Sequence, residues 1–538
     1  MKLSYEGLRD RAAWEAAGVA LPAYDWREMA EETARHPVWI HFGAGNIFRG
    51  FLAALQDTLL SRGLAQSGIL AADTFDFEIL ERIIMPHDGM TLLVRLLPDG
   101  TMEKQIVASV ARGLRAGGAY PDDLAALRGA FENPSLQMVS FTITEKGYAL
   151  RGPDGAWLPA VAADLAAGPE KCMHVMSRVC ALLCARFAAG GAPLALVSMD
   201  NCSHNGEKLR AAVTEIARRW RERDFVSPDF VAWLEDEHNV SFPWTMIDKI
   251  TPRPAPVVTE ALAAAGIEDM TPIVTAKNTF IAPFVNAEKP QYLVIEDRFP
   301  NGRPPLEAAG VCFTDRETVN KTEKMKVTTC LNPLHTALAV YGCLLGYETI
   351  AAEMRDASLS RLARTIGYDE GLPVVTDPGI LSPGEFLREV VEERLPNPFL
   401  PDTPQRIATD TSQKIPIRFG ETIKSYLARG ADLTRLIGIP LALAGWLRYL
   451  LGVDDEGRPM PVSADPMLPY LTEMLCGVRL GAPQSAPDEA LAPLLRNEAV
   501  FGTDLCAAGL APAVGALLRE MLAGPGAVRA ALRRHLGA

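Results

Sequence analysis

A chain of 538 residues is too long for one ordinary core, so two or more domains are expected. Hydrophobic residues at 48% and charged residues at 22% give the balance of a soluble globular protein. The formal net charge of −13 argues against a general nucleic-acid binder, which needs a basic face. It leaves room for a small anionic substrate, because a few local cations can reverse the field inside one site. The opening "MKLSYEGLRDRAAWEAAGVALP" has no apolar signal-peptide core, and no uninterrupted apolar run suits a bilayer span. A cytoplasmic protein that works away from membranes is expected. Nine cysteines are scattered with neither a CxxC pair nor a finger-like Cys/His spacing, so no metal is expected.

In chain order, "PVWIHFG" reads as a strand and "IFRGFLAALQDTLLSRG" as an amphipathic helix ending at Gly63. "SGILAAD" reads as the next strand. "GMTLLVRLLPDGTMEKQIVASV" alternates around a Pro-Asp-Gly turn, which predicts an inserted β-hairpin. "LQMVSFTITEKGY", "PLALVSMDNC" and "PIVTA" follow as strand-like runs. Between them lie helical patterns such as "LAALRGAFEN" and "EKLRAAVTEIARRWRER". This alternation predicts a parallel sheet covered by helices on both faces. "IEDRFPNGRPPLEAAG", rich in Pro and Gly, reads as a link. Beyond it the helical period dominates, as in "NPLHTALAVYGCLLGYETIAAEMRD" and "IPLALAGWLRYLLG". The expected architecture is α/β: a doubly wound sheet of Rossmann type with an inserted β-hairpin over residues 1–306, then a mostly α-helical domain over 307–538.

The first strand runs into "HFGAGNIFRGF". Gly43 permits a sharp turn there, and Gly45 lets a backbone amide approach a phosphate that a side chain would exclude. The third glycine of the usual GxGxxG is absent, so a plain strand–helix turn satisfies the same residues. At the end of the next strand stands Asp73, with Asp76 close behind. An acid at that point holds the ribose hydroxyls of NAD and repels the extra phosphate of NADP, although it can equally cap a helix.

Three later clusters carry polar chemistry. Asp200 and Asn201 end "PLALVS", where a parallel strand delivers residues to a ligand, and an Asx-turn is the alternative. Lys321, Lys324 and Lys326 precede Asn332 and His335; crowded and buried ammonium groups lose their protons more readily, which suits a general base, although a solvated basic helix start has the same composition. Arg406, Lys414 and Arg418 bring three cations into one short polar stretch, fit for a carboxylate or for hydroxyls, or simply a basic surface strip.

Taken in order, "GAGNIFR", "TEKGY", "DNCSHNG", "TMIDKITP", "IEDRFPNGRP", "EKMK" with "LNPLHTALA", "SQKIP" and "GWLRYLLGVDDEG" make the chain resemble the long-chain mannitol dehydrogenase family from about residue 36 to 467. That family holds mannitol 2-dehydrogenases and the fructuronate and tagaturonate reductases. The resemblance implies zinc-independent, NAD(P)-linked oxidation of a secondary alcohol on a small sugar acid or polyol, by a monomer, and Asp73 favours NAD. It places the catalytic lysine on Lys326, the oxyanion-binding asparagines on Asn201 and Asn332, and the substrate-orienting histidine on His335. Gly43, Gly45, Asn46, Phe48, Arg49, Asp73 and Asp248 fall at cofactor positions, and Arg406, Lys414 and Arg418 at substrate positions. The implied reaction interconverts D-fructuronate and D-mannonate; a polyol dehydrogenase and an inactive NAD-binding sensor are the alternatives. One departure stands out. The family keeps four residues between lysine and asparagine, whereas "VTTCL" supplies five here. On a regular helix the extra residue turns Lys326 away from Asn332 and His335 and brings Lys324 onto their face, unless a π-bulge absorbs it.

Overall fold

The computed structural model describes residues 1–537. Packing divides the chain into two compact units: Met1–Leu97 with Thr101–Asn320, and a second that starts at Lys321 and takes in Pro98–Gly100.

The first unit is built on a six-stranded sheet: β1 (Trp39–Phe42), β2 (Ile69–Asp73), β3 (Val110–Arg115), β4 (Met138–Phe141), β5 (Leu194–Ser198) and β6 (Val240–Ser241). Every pairing is parallel and the spatial order is β3-β2-β1-β4-β5-β6. This is the Rossmann order, with its switch point between β1 and β4. Successive residues feed opposite cores. Ile40, Phe42, Leu70, Val139 and Leu196 pack on one side, and Trp39, Ile69, Ala71, Met138 and Ala195 on the other. Both faces are therefore covered, which explains why these strands read as continuous apolar runs.

The inserted hairpin forms as the sequence indicates, with Thr91–Leu96 antiparallel to Met102–Val107. It does not stand alone. Val19–Ala20 joins one edge and Phe284–Glu288 the other, both in parallel, making a second sheet of four strands. A third sheet sets Thr245–Asp248 antiparallel to Tyr292–Glu296, which pairs in parallel with Cys312–Thr314. "PIVTA" departs from expectation. Ile273–Val274 pairs only with Phe280–Ile281 in a small antiparallel ribbon, because its tight return at Asn278 leaves no room for a crossover helix. The Pro/Gly-rich "IEDRFPNGRPPLEAAG" lies inside the first unit. Leu306 is buried there, and the Asn301 amide donates to the Pro134 and Leu136 carbonyls.

The second unit is helical. Asn332–Leu345, Gly438–Tyr449 and Ala511–Met521 pack together at its centre. Gly445 allows the closest approach, since a Cβ there would lie 2.6 Å from the Tyr341 ring. The Tyr341 hydroxyl donates to the Leu441 carbonyl at 2.7 Å. Among the described residues no helix is long and apolar enough to cross a membrane.

Candidate active site

The glycine loop leaves β1 at the switch point and enters a helix that continues to Ser61, with one π turn at Phe48–Leu52. Gly43 has φ +101°, and a Cβ on it would sit 2.2 Å from the Thr142 carbonyl oxygen, so only glycine fits. Gly45 is the opposite case: a Cβ there meets nothing within 4 Å. The space beside it belongs to a cavity of about 420 Å³ that reaches Asn46, Thr142, Thr144, Asp200, Asn201 and Lys249. Backbone bare of side chains beside such a cavity, at a helix start, fits a pyrophosphate.

Beneath the loop is a buried polar prop. His41 bonds Ser140 Oγ at 2.6 Å through Nδ1 and Thr142 Oγ1 at 2.8 Å through Nε2, and its ring stacks on Phe48 at 4.2 Å. Burial pulls its pKa down to about 3, so it works as a neutral spacer. Phe48 and Arg49 are themselves fully enclosed and do not line the cavity. Arg49 donates to the Ala282 carbonyl at 2.8 Å and to Asn46 Oδ1 at 2.9 Å. Burial lowers its pKa to about 9, which leaves it a cation at neutral pH. Arg49 thus braces Asn46, which does line the cavity, while Phe48 packs on His41.

Asp73 ends β2. One of its oxygens accepts from the Phe75 and Asp76 amides at 2.7 and 2.9 Å, and the other lies 3.4 Å from the Ala44 amide. Burial raises its pKa against those bonds. Asp76 is tied instead to the Thr275 and Thr279 hydroxyls, both at 2.6 Å. At the end of β5 the Asp200–Asn201 turn is fastened from behind by Asn205. Its amide donates to the Asp200 carbonyl at 3.0 Å and to Thr245 Oγ1 at 2.8 Å. Asp248 closes the strand Thr245–Asp248, opposite Tyr292, and is buried.

In the second unit the chain reaches Lys326 from the helix Arg316–Met325 and passes through a π turn at Lys326–Cys330. The Leu331 amide donates to the Lys326 carbonyl at 3.1 Å, a five-residue span. That wider turn takes up the extra residue, and Pro333 opens the next helix where its missing N–H costs nothing. Lys326 is 2% exposed. Lys324 lies on the surface, 3.5 Å from Glu421. The first turns of the helix Asn332–Leu345 carry Asn332 and His335. His335 Nε2 is 3.3 Å from Asp402 Oδ2, and Asp402 also takes the guanidinium of Arg406. Burial alone would raise Asp402, but the hydrogen bond and charge of His335, with Arg406, leave it below the usual carboxylate range. Arg418 donates to Thr336 Oγ1 at 2.5 Å and to the Asn332 carbonyl at 3.4 Å, and burial brings it down to about 10. Lys414 donates to the Ile407 carbonyl at 2.9 Å; burial and the neighbouring Arg418 charge lower its pKa. The structure therefore gathers Asn332, His335, Arg406, Lys414 and Arg418 around one helix start.

Two charged members of these sites acquire their roles only through tertiary contact. Lys249 follows an apolar strand and donates to the backbone carbonyls of Glu288, Lys289 and Pro290 at the cavity's edge. Asp402 belongs to a loop far in sequence from the histidine it holds. Among the described residues no group of three or more His, Cys, Asp or Glu side chains could hold a metal ion.

Residues 38–308 match the mannitol dehydrogenase Rossmann domain, and residues 318–521 the mannitol dehydrogenase C-terminal domain. A D-mannonate oxidoreductase of Thermotoga maritima is 50% identical, over 100% of this chain and 99% of its own. A polyol:NADP oxidoreductase of Gluconobacter oxydans is 32% identical, over 82% of this chain and 84% of its own. Among solved structures, the Pseudomonas fluorescens mannitol 2-dehydrogenase in ternary complex with NAD and D-mannitol superposes with a TM-score of 0.69 at 26% identity, covering all of both chains. With its Rossmann strand order, its bare glycine loop and these matches along nearly its whole length, the chain belongs to the mannitol dehydrogenase family and is an NAD-dependent dehydrogenase.

Proposed function

We propose that the enzyme interconverts a hexuronate and its aldonate, D-fructuronate and D-mannonate, using Lys326 as general base and acid. The observation that carries this reading is the buried Lys326 on its π turn, followed directly by a helix start ringed with Asn332, His335 and three cations. A positive helix end with such neighbours favours a carboxylate. The D-mannonate oxidoreductase half identical over the whole chain supports the same substrate.

Gly45, Asn46 and Asp73 would hold NAD, with Asp248 close to its reactive end. Bound NAD supplies the two-electron exchange with the substrate carbon, C5 of the uronate pair. In oxidation Lys326 Nζ takes the hydroxyl proton, and in reduction it returns one. Asn201 and Asn332 donate amide N–H bonds to the oxygen as negative charge grows there, an effect worth about 3 kcal/mol per donor in other enzymes. His335 fixes the hydroxyl pattern, with Asp402 setting its ring. Lys414, with Arg418 and Arg406, receives the carboxylate.

One observation favours a second reading, a polyol dehydrogenase. Asp402 already answers the charge of Arg406, so that arginine suits neutral hydroxyls. The inactive-sensor alternative loses its ground, because the π turn accommodates the residue that argued for it. Turnover of fructuronate, tagaturonate, fructose and mannitol, each with NADH or NAD and with the NADP pair, tests the assignment. Activity confined to fructose and mannitol would replace it with the polyol reading. The same reading has the enzyme acting as a monomer, which sedimentation equilibrium tests.

A further inference from the structure

Thr144, just past β4, has φ +63° and ψ 160°. That region is reached without cost almost only by glycine, and a β-branched residue there is a genuine outlier. Among the described residues the other non-glycine positions with positive φ are Asp, Asn or His, residue types that tolerate it. Thr144 is held by a specific device. The Asp200 carboxylate accepts the Thr144 amide at 2.8 Å, the Ile143 amide at 3.0 Å and the Tyr148 hydroxyl at 2.6 Å. Tyr148 is fixed in turn by Ser198 Oγ at 2.8 Å. Thr144 and Asp200 both border the cavity that contains Gly45 and Asn201.

We propose that Asp200 is a positioning residue that clamps Thr144 in this strained conformation to shape the nicotinamide end of the cofactor site. The end is identified by topology. A dinucleotide crosses the switch point, and Asp73 at the end of β2 marks the adenosine side; the loops after β4 and β5 then take the nicotinamide nucleotide. The choice of residue points the same way. Glycine would relieve the strain at no loss to the sheet, whereas threonine brings what only a side chain can, a hydroxyl and a methyl at the cavity. Burial of Asp200, which also raises its pKa, makes the clamp stiff. The inference rests on the NAD-dependent reading above.

The test uses the full chain and two probes, NADH by fluorescence titration and ADP-ribose, which lacks nicotinamide, by competition. Thr144→Gly should raise the melting temperature by releasing strain, weaken NADH about tenfold and leave ADP-ribose unchanged. Thr144→Ser, which keeps the hydroxyl, should restore NADH binding and the fluorescence enhancement. Asp200→Asn should weaken NADH in the same selective way. Should Asp200→Asn fail to fold, the Thr144 variants decide alone. The proposal is overturned if Thr144→Gly stabilises the protein with no loss of NADH affinity, or if NADH and ADP-ribose weaken together. If the wild type binds neither probe, the NAD reading fails instead.

Discussion

Each unit opens its site with a π turn that buries a cation, yet the two are used differently. At Phe48–Leu52 all five residues are buried, and Arg49 donates to the Ala282 carbonyl and to Asn46. At Lys326–Cys330 the buried cation is a lysine, one turn ahead of the helix that carries Asn332 and His335. Arginine keeps its charge under burial and presents a rigid fork, so it serves as a strut; lysine as a residue type gives up its proton far more readily, so it serves proton exchange. The wider turn is the same device in both places, a way to aim one side chain off the regular helical face.

Replacing both cations breaks the comparison most sharply. Lys326→Ala should cut kcat by about 10²- to 10⁴-fold while NADH titration stays normal, and Lys324→Ala should be close to wild type. The reverse pattern would move the base to Lys324. Arg49→Met should instead cost about 3 kcal/mol in denaturant unfolding and weaken NADH, because Asn46 and the Ala282 carbonyl lose their donor. Arg49→Lys should not restore it, since one ammonium cannot span both partners. Lys414→Met should raise KM for fructuronate by about 10- to 100-fold, and Arg406→Met by less, as Arg406 is exposed and shared with Asp402. The smallest effect concerns Asp402. Its folded pKa lies below the unfolded value, so its stabilisation is complete above the ordinary carboxylate range and is lost as pH falls through the folded pKa. The stability gap between wild type and Asp402→Asn should therefore hold steady from pH 7 down to about 4 and narrow below that.

Much of this was legible in the sequence, and what escaped has a common cause. The glycine loop, the strand runs of β1, β2, β4 and β5 and the hairpin announce themselves locally, through turn chemistry and periodicity. The extra residue between Lys326 and Asn332 left two readings open, a rotated face that presents Lys324 or a π turn, and the chain takes the π turn. Arg49 escaped because its partner carbonyl is 233 positions away. Sequence alone shows a cation beside a phosphate loop and not the backbone that consumes it. Asp402 and Lys249 escaped for the same reason: each is ordinary in its own segment and acquires a role only by tertiary contact. "PIVTA" misled because short apolar strands look alike whether they join a large sheet or a small ribbon.

The second sheet has a consequence for how the chain is made. Its hairpin strand Thr91–Leu96 finds its parallel neighbour only in Phe284–Glu288. At ordinary rates of synthesis the ribosome needs roughly 10–40 s to deliver that neighbour. Through that interval an apolar strand edge is left open on a nascent chain, the kind of surface that invites pairing with another polypeptide. Yield in the cell should accordingly depend on translation speed and chaperone supply more than the stability of the finished enzyme suggests.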